Sequence, residues 1–191
     1  QLFLNDETVI LYDLTDQILT TASVHQGNVS PPPWLTSSDS NRTEILRQAS
    51  LVGEWLHRRD YRGTASVDFH VTFRRKQVEI RVCEVNARVT GATYPALLAH
   101  HFTPGGAWLM RNIRFDPPVS SSSILRSLRQ SGLLFATGET SGVIPINFNN
   151  LSDGSIAKGQ FLCLAPSLDE TAELLSRAQS HLPPNDTSDR D

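Results

Sequence analysis

The stretch that decides the interpretation of this chain is Ile80-Arg-Val-Cys-Glu-Val-Asn-Ala-Arg-Val-Thr-Gly91. It begins as an apolar-rich strand pattern and runs into Glu84, Asn86 and Arg88, which alternate and therefore share one face of a strand. A second strand pattern, residues 64–73, carries Asp68. The polar residues 74–77 between the two runs predict a hairpin turn.

This hairpin predicts a site for a divalent cation. Folding about the turn places Asp68 nearly opposite Glu84, where facing Cβ atoms are about 4.5–5.5 Å apart. Two carboxylates at that distance repel each other unless a cation lies between them. With the Asn86 carbonyl they form an oxygen-only ligand set, which suits Mg²⁺ that also bridges substrate phosphates. Arg88 adds a forked donor for phosphate or carboxylate.

The alternative interpretation of the hairpin is an amphipathic β-ribbon whose charges face water. Val67 and Phe69 on one face, with Asp68 on the other, fit that interpretation as well. One observation counts against it: Glu84 and Asn86 are in phase with the apolar positions 78, 80 and 82, so a polar pair continues a face that began apolar. This change from apolar to polar residues along one face favours the metal site. For Arg88, an ordinary surface arginine remains the alternative.

The strand–turn–strand with its terminal Glu84-x-Asn86-x-Arg88 resembles the ATP-grasp ligases. In that family an acidic residue and a later Glu-x-Asn hold magnesium over the phosphates of ATP, and the following Arg handles the acyl substrate in several branches. The resemblance implies Asp68, Glu84 and Asn86 as ligands of the metal and its ATP, and Arg88 as the catalytic residue. It extends over roughly residues 1–180, and the pheganomycin-type peptide ligases are the most similar branch. Further segments in the expected order are 16–17, 26–28, 61–64 and 91–96.

The activity implied by the resemblance is ATP-dependent ligation of a carboxylate to an amine through an acyl phosphate, with Mg²⁺ or Mn²⁺ as the metal. The chain has no Gly-rich phosphate loop, and Lys76 and Lys158 do not match the phosphate lysines of the family. We therefore expect residues 1–182 to be the C-terminal half of an ATP-grasp domain, inactive alone, with the lid subdomain upstream. The family's arginine before the first metal acid is replaced by Thr64 or Ser66, which leaves Arg88 as the residue for the acyl phosphate.

Two other functions are compatible with the same residues. The absent lid and the absent arginine near Asp68 fit a grasp-like domain that binds a nucleotide or a partner without chemistry. Phosphotransfer to a hydroxyl is the third possibility, because some grasp-fold enzymes are kinases.

Composition indicates which class of protein this is and which partners it has. The 191 residues are 39% apolar, as in a globular protein, and a net charge of −3 with a pI near 6.1 excludes a basic nucleic-acid surface. The sequence contains neither a membrane-span pattern nor a signal peptide, so no membrane partner and a cytoplasmic location are expected. Cys83 and Cys163 lie in apolar strand-like runs, which predicts buried, reduced thiols.

The expected fold class is α+β with a mainly antiparallel sheet and packed helices. Apolar periodicity and capping residues predict helices over 42–59, 93–102, 120–130 and 169–182. Strands are predicted, besides the hairpin, over 1–4, 8–14, 107–115, 132–136, 142–147 and 158–165. Residues 20–40 are predicted as loop, because Gly27-Asn28 and the three prolines 31–33 disfavour regular structure. Residues 183–191 are predicted to be a disordered polar tail.

Overall fold

The computed structural model describes residues 1–35, 39–75 and 77–183, with Gln77 described by its backbone alone. Within these residues the chain is α+β, with two antiparallel sheets and four α-helices, which confirms the expected fold class. It divides into two compact units: unit 1 combines residues 1–15 with 31–96, and unit 2 combines 16–30 with the chain from 97 onward. Lys76 and most of the predicted tail, 184–191, lie outside the described residues.

The elements follow one another in this order. The strands are β1 (Leu2–Leu4), β2 (Val9–Leu11), β3 (Asp16–Leu19), β4 (His25–Ser30), β5 (Gly63–Arg74), β6 (Gln77–Asn86), β7 (Ala107–Val119), β8 (Gly142–Asn150) and β9 (Ile156–Ala165). The helices are α1 (Asp39–His57), α2 (Thr93–Phe102), α3 (Ser121–Gln130) and α4 (Leu168–His181), with a 3₁₀ turn at Pro33–Leu35 before α1.

Unit 1 packs α1 on one face of a four-stranded sheet with the order β2-β1-β5-β6. The helix buries positions 45, 49, 53 and 56, which recur every three or four residues and so form one stripe. At Gly53 the helix approaches the sheet so closely that a Cβ would lie 2.5 Å from Val9 Cγ1. Trp55 of the same helix is 46% exposed, and the Arg59 guanidinium lies over its ring, 4.4 Å from the ring centroid.

Unit 2 is built on a five-stranded antiparallel sheet with the order β3-β4-β7-β9-β8. Helix α4 packs on β7 and β9, and α3 contacts α4. A serine caps each of these helices: Ser120 accepts a hydrogen bond from Ser123 N, and Ser167 accepts one from Glu170 N. The core of this unit joins the two helices to the sheet through Ile113, Phe115, Ile124, Leu128, Val143, Phe161, Cys163, Leu174 and Ala178.

Two predicted segments are wrong. Residues 20–40 are not a continuous loop, because they contain β4, which pairs with β3 and β7. Gly27 does not break this strand but permits it, since a Cβ there would lie 2.0 Å from the Met110 carbonyl oxygen. Residues 132–136 are not a strand: within them Leu134 forms an isolated bridge to Val143. No helix in the described part of the chain is long and apolar enough to cross a membrane.

Candidate metal site on the β5–β6 hairpin

The predicted facing carboxylates are confirmed by the register of the hairpin. Strands β5 and β6 pair in a regular ladder from Arg74 opposite Gln77 as far as Phe69 opposite Val82. Beyond that point Asp68 lies opposite Glu84, and the next pairs along the ladder are 67 with 85 and 66 with 86. The site is therefore built within unit 1 by two adjacent strands.

A β-bulge at Cys83 produces this pairing. If the register that starts at the turn continued without interruption, Asp68 would lie opposite Cys83. Instead the register shifts by one residue between Phe69 and Asp68. Cys83 is therefore left unpaired, and Glu84 lies opposite Asp68. One extra residue also exchanges the faces of all later side chains. Val82 packs against the core of unit 1, whereas Glu84 lies on the opposite face with Asp68.

The bulge overturns one argument from the sequence. Glu84 and Asn86 were expected to continue the apolar face of positions 78, 80 and 82, and that expectation is wrong. They continue the polar face of the hairpin, where Ser66 and Asp68 lie. A change from apolar to polar residues along one face therefore gives no support to a metal site. The support comes instead from the pairing of Asp68 with Glu84 and from the residues around that pair.

Asp68 accepts a hydrogen bond at each of its carboxylate oxygens. Ser66 Oγ donates to its Oδ1 and Asn86 Nδ2 donates to its Oδ2, each at 3.4 Å. The pKa of Asp68 is raised above its ordinary value, first because burial disfavours the charged form and second because the Glu84 carboxylate repels it. Ser66, only 2% exposed, is a contact that sequence reasoning did not assign, although its alternation with Asp68 placed it on the same face.

Arg88 completes the group of predicted residues. The Arg88 side chain is exposed, and its Nη2 donates to Asn86 Oδ1 at 2.9 Å. Because Asn86 also donates to Asp68, a continuous chain of contacts runs from Arg88 through Asn86 to the carboxylate pair. All four residues singled out in the sequence therefore come together. If a metal bound Asn86 Oδ1, that oxygen would either keep its hydrogen bond from Arg88 as well or lose it.

The donor set fits a hard divalent cation. Among the described residues no Arg, Lys or His side chain forms an ion pair with Asp68 or Glu84. The described part of the chain also has no cluster of three or more His, Cys, Asp and Glu side chains suited to a metal. Two carboxylates and one amide oxygen are fewer ligands than Mg²⁺ takes, so a ligand phosphate or water would supply the remaining oxygens.

The cysteines differ in environment, which corrects one prediction. Cys163 is buried as expected, and burial raises the pKa of its thiol to about 12. Cys83 is exposed at the bulge, where its Sγ donates to the Asp68 carbonyl oxygen at 3.3 Å. The unpaired position explains the exposure, because the bulge turns this side chain away from the core.

One groove of unit 1 lies apart from these residues. It has a volume of about 430 Å³ and is lined by residues of β2 and α1 and the turn before β2: Glu7, Thr8, Val9, Leu11, Ser50, Glu54, His57 and Arg58. None of them belongs to the predicted site. We place the candidate site on the hairpin, because two carboxylates, an amide and a guanidinium lie together there. The groove is lined by ordinary surface side chains.

The chain was compared with known proteins. No protein-family model matches it, and no curated protein matches it. The resemblance to ATP-grasp ligases therefore rests on the residues of the hairpin and the order of the segments around it.

Proposed function

We propose that this chain is the C-terminal half of an ATP-grasp domain in an ATP-dependent ligase that joins a carboxylate to an amine. The observation that carries the proposal is the Asp68–Glu84 pair, linked through Asn86 to Arg88. Carboxylates that face each other without a neutralising side chain are a destabilising arrangement, which a bound cation converts into a favourable one.

The residues of the hairpin divide into two roles under this proposal. Asp68, Glu84 and Asn86 would hold Mg²⁺ or Mn²⁺, which when bound neutralises charge on the phosphoryl oxygens of ATP. Arg88 would bind the carboxylate substrate with its guanidinium fork and stabilise the negative charge that develops on the acyl phosphate. Ser66 would orient Asp68 by donating to the carboxylate oxygen that Asn86 does not contact. A lid subdomain outside residues 1–182 would cover the nucleotide.

Glu84→Gln in the full-length protein tests the proposal. We expect it to lower ADP release that depends on both acid and amine by at least about 100-fold, because a metal worth several kcal/mol in the transition state loses a ligand. Glu79→Gln is the matched control: Glu79 lies further along the same strand, opposite Thr72, with ion pairs to Arg74 and Arg81. Equal turnover in wild type and Glu84→Gln would refute the assignment.

A second function is favoured by one specific observation. Thr64 or Ser66 stands where several ATP-grasp branches have an arginine, and Ser66, which contacts Asp68, is neutral; this fits a grasp-like domain that binds nucleotide without chemistry. Such a domain would bind Mg·ATP through the hairpin and release no ADP in the presence of any acid and amine. Phosphotransfer to a hydroxyl would instead yield ADP together with a phosphorylated product and no amide.

A further inference from the structure

The sheet of unit 2 carries two rows of polar side chains on the face opposite α4. Ile113 of β7 and Phe161 of β9 lie in the core that the helices cover, and Phe148 of β8 packs against it. Alternation therefore directs the neighbours of these residues to the other face. Paired across β7, β9 and β8, those neighbours form one row of Arg114, Lys158 and Asn149, and a second row of Asn112, Gln160 and Asn147.

The side chains of both rows are accessible, and all of them can donate hydrogen bonds. Arg114, Asn147 and Asn149 are exposed, and the other members of the rows are half-buried, so none is covered completely. Each side chain carries at least one N–H donor, and none is a carboxylate. Such a surface is suited to an anion with several oxygen acceptors.

The first row brings two cations together. Arg114 and Lys158 lie directly opposite each other, and like charges in that position destabilise a sheet. Lys158 forms no ion pair with any described residue, Asp116 at the irregular end of β7 included. The adjacent pair is neutral and ordered, because Gln160 Nε2 donates to Asn112 Oδ1 at 3.1 Å. An anion bound between the two cations would remove their repulsion.

The charge and the size of this surface favour a phosphate group. A phosphate group carries about −1.5 to −2 charges near neutral pH, which matches two cations, whereas a carboxylate carries one. The guanidinium fork of Arg114 fits two phosphate oxygens, and the Lys158 ammonium is a point charge for a third. Three strands and two rows cover about 10 by 7 Å, which is enough for one phosphate group and its nearest atoms.

We propose that unit 2 binds the phosphate group of a small molecule between Arg114 and Lys158, with the Asn149 amide donating to a further phosphate oxygen. The site shares no residue with the hairpin and requires neither a metal nor turnover, so it stands independently of the ligase assignment. The ligand is either free phosphate or a phosphomonoester, since both present the same oxygens.

Titration of the 191-residue chain with inorganic phosphate, followed by phosphorus NMR with a chelator and at constant ionic strength, tests the site. Lys158→Gln and Arg114→Gln should each weaken binding by at least about fivefold, because one of two charge-assisted contacts is lost. Arg126→Gln is the matched control: Arg126 is an exposed residue of α3, which packs on the other face, and its loss should leave binding unchanged. Glycerol phosphate is the second probe. Tighter binding than inorganic phosphate identifies a phosphomonoester as the ligand, and weaker binding identifies free phosphate.

An added carboxylate tests the same site in the opposite way. Asn149→Asp places an anion opposite Lys158 and should weaken phosphate binding by at least about tenfold, including when the Gln variants fail to fold. Asn150→Asp adds the same charge one residue away, on the other face, and should change binding by no more than about twofold. Equal phosphate binding by wild type, Lys158→Gln and Asn149→Asp overturns the proposal. So does an absence of binding by wild type, or acetate that displaces phosphate as well as sulfate does, because a single negative charge would then suffice.

Discussion

Asp68 is the residue at which the electrostatics of the site is least balanced. Its carboxylate receives two hydrogen bonds of 3.4 Å, from Ser66 and Asn86, and faces the like charge of Glu84. Burial adds to the cost of its charge, so the pKa is raised. Burial and the Glu84 carboxylate outweigh the positive charge of the Gln1 N-terminus, which acts in the opposite direction on the pKa of Asp68.

Asp68→Asn is therefore expected to stabilise the metal-free protein at neutral pH. The amide carries no charge and can donate to Glu84, which removes a repulsion between facing cross-strand charges worth up to about 1 kcal/mol. Urea unfolding at pH 7 in the presence of a chelator measures the difference. A variant less stable than wild type would show that Asp68 is stabilised by its surroundings rather than strained by them.

The same residue gives a pH dependence with a definite sign. The folded state holds the Asp68 proton more tightly than the unfolded state, whose pKa is near 3.8. The free energy of unfolding of wild type should therefore fall, relative to Asp68→Asn, as the pH rises from about 3.8 through the raised folded-state pKa. Glu44, whose pKa is lowered to about 2 by Arg47, acts in the opposite direction in both proteins and cancels in the comparison. A difference that does not change with pH would contradict the raised pKa.

At the scale of the element, the bulge in β6 is the feature on which the site depends. Strict alternation from the turn puts Glu84 on the face of Val82, and the structure puts it on the face of Asp68 because Cys83 is the extra residue. A bulge has no reliable signature in one sequence: here Val82 stays on the core face, and the extra residue Cys83 moves Glu84 to the other face. A pattern of alternation within one strand does not contain that extra residue.

Deletion of Cys83 is expected to regularise the ladder and keep the pairing of Asp68 with Glu84. Val82 would stay on the core face, so the melting temperature should change by only a few degrees. Deletion of Arg81 is the matched comparison, because it moves Val82 to the polar face and should cost about 1 kcal/mol or more in lost burial. Thermal unfolding of the two variants measures the contrast. Equal destabilisation would indicate that the bulge itself holds the hairpin together.

Strand β4 depends on one glycine. Gly27 lies against the backbone of Met110, where a Cβ would be 2.0 Å from the carbonyl oxygen, so Gly27→Ala should separate β4 from β7 and destabilise the protein by about 3 kcal/mol or more. Gly91→Ala is the control, because a Cβ there meets no atom within 4 Å. Chemical denaturation compares the two. Similar unfolding free energies for both variants would contradict the close approach.

For the whole molecule, the sequence predicted those features that depend on residues close together in the chain. The α+β class, the helices from 93 and 120, and the facing pair in the hairpin follow from periodicity, capping serines and a polar turn. What was missed depends on distant partners. Gly27 is a strand residue because β4 pairs closely with β7 at Met110, a contact that the local sequence does not show. Leu134 bridges Val143 without extending into a strand.

The proposed function requires one divalent cation bound between Asp68 and Glu84. The most direct measurement is titration of Mn²⁺ into the whole chain, with free Mn²⁺ followed by electron paramagnetic resonance. Wild type should take up one weakly bound ion, Asp68→Asn and Glu84→Gln should each lose affinity by about tenfold or more, and Glu79→Gln should bind as wild type does. Equal uptake by wild type, Asp68→Asn and Glu84→Gln would contradict the claim, because the ion would then bind elsewhere and the hairpin would be plain scaffold.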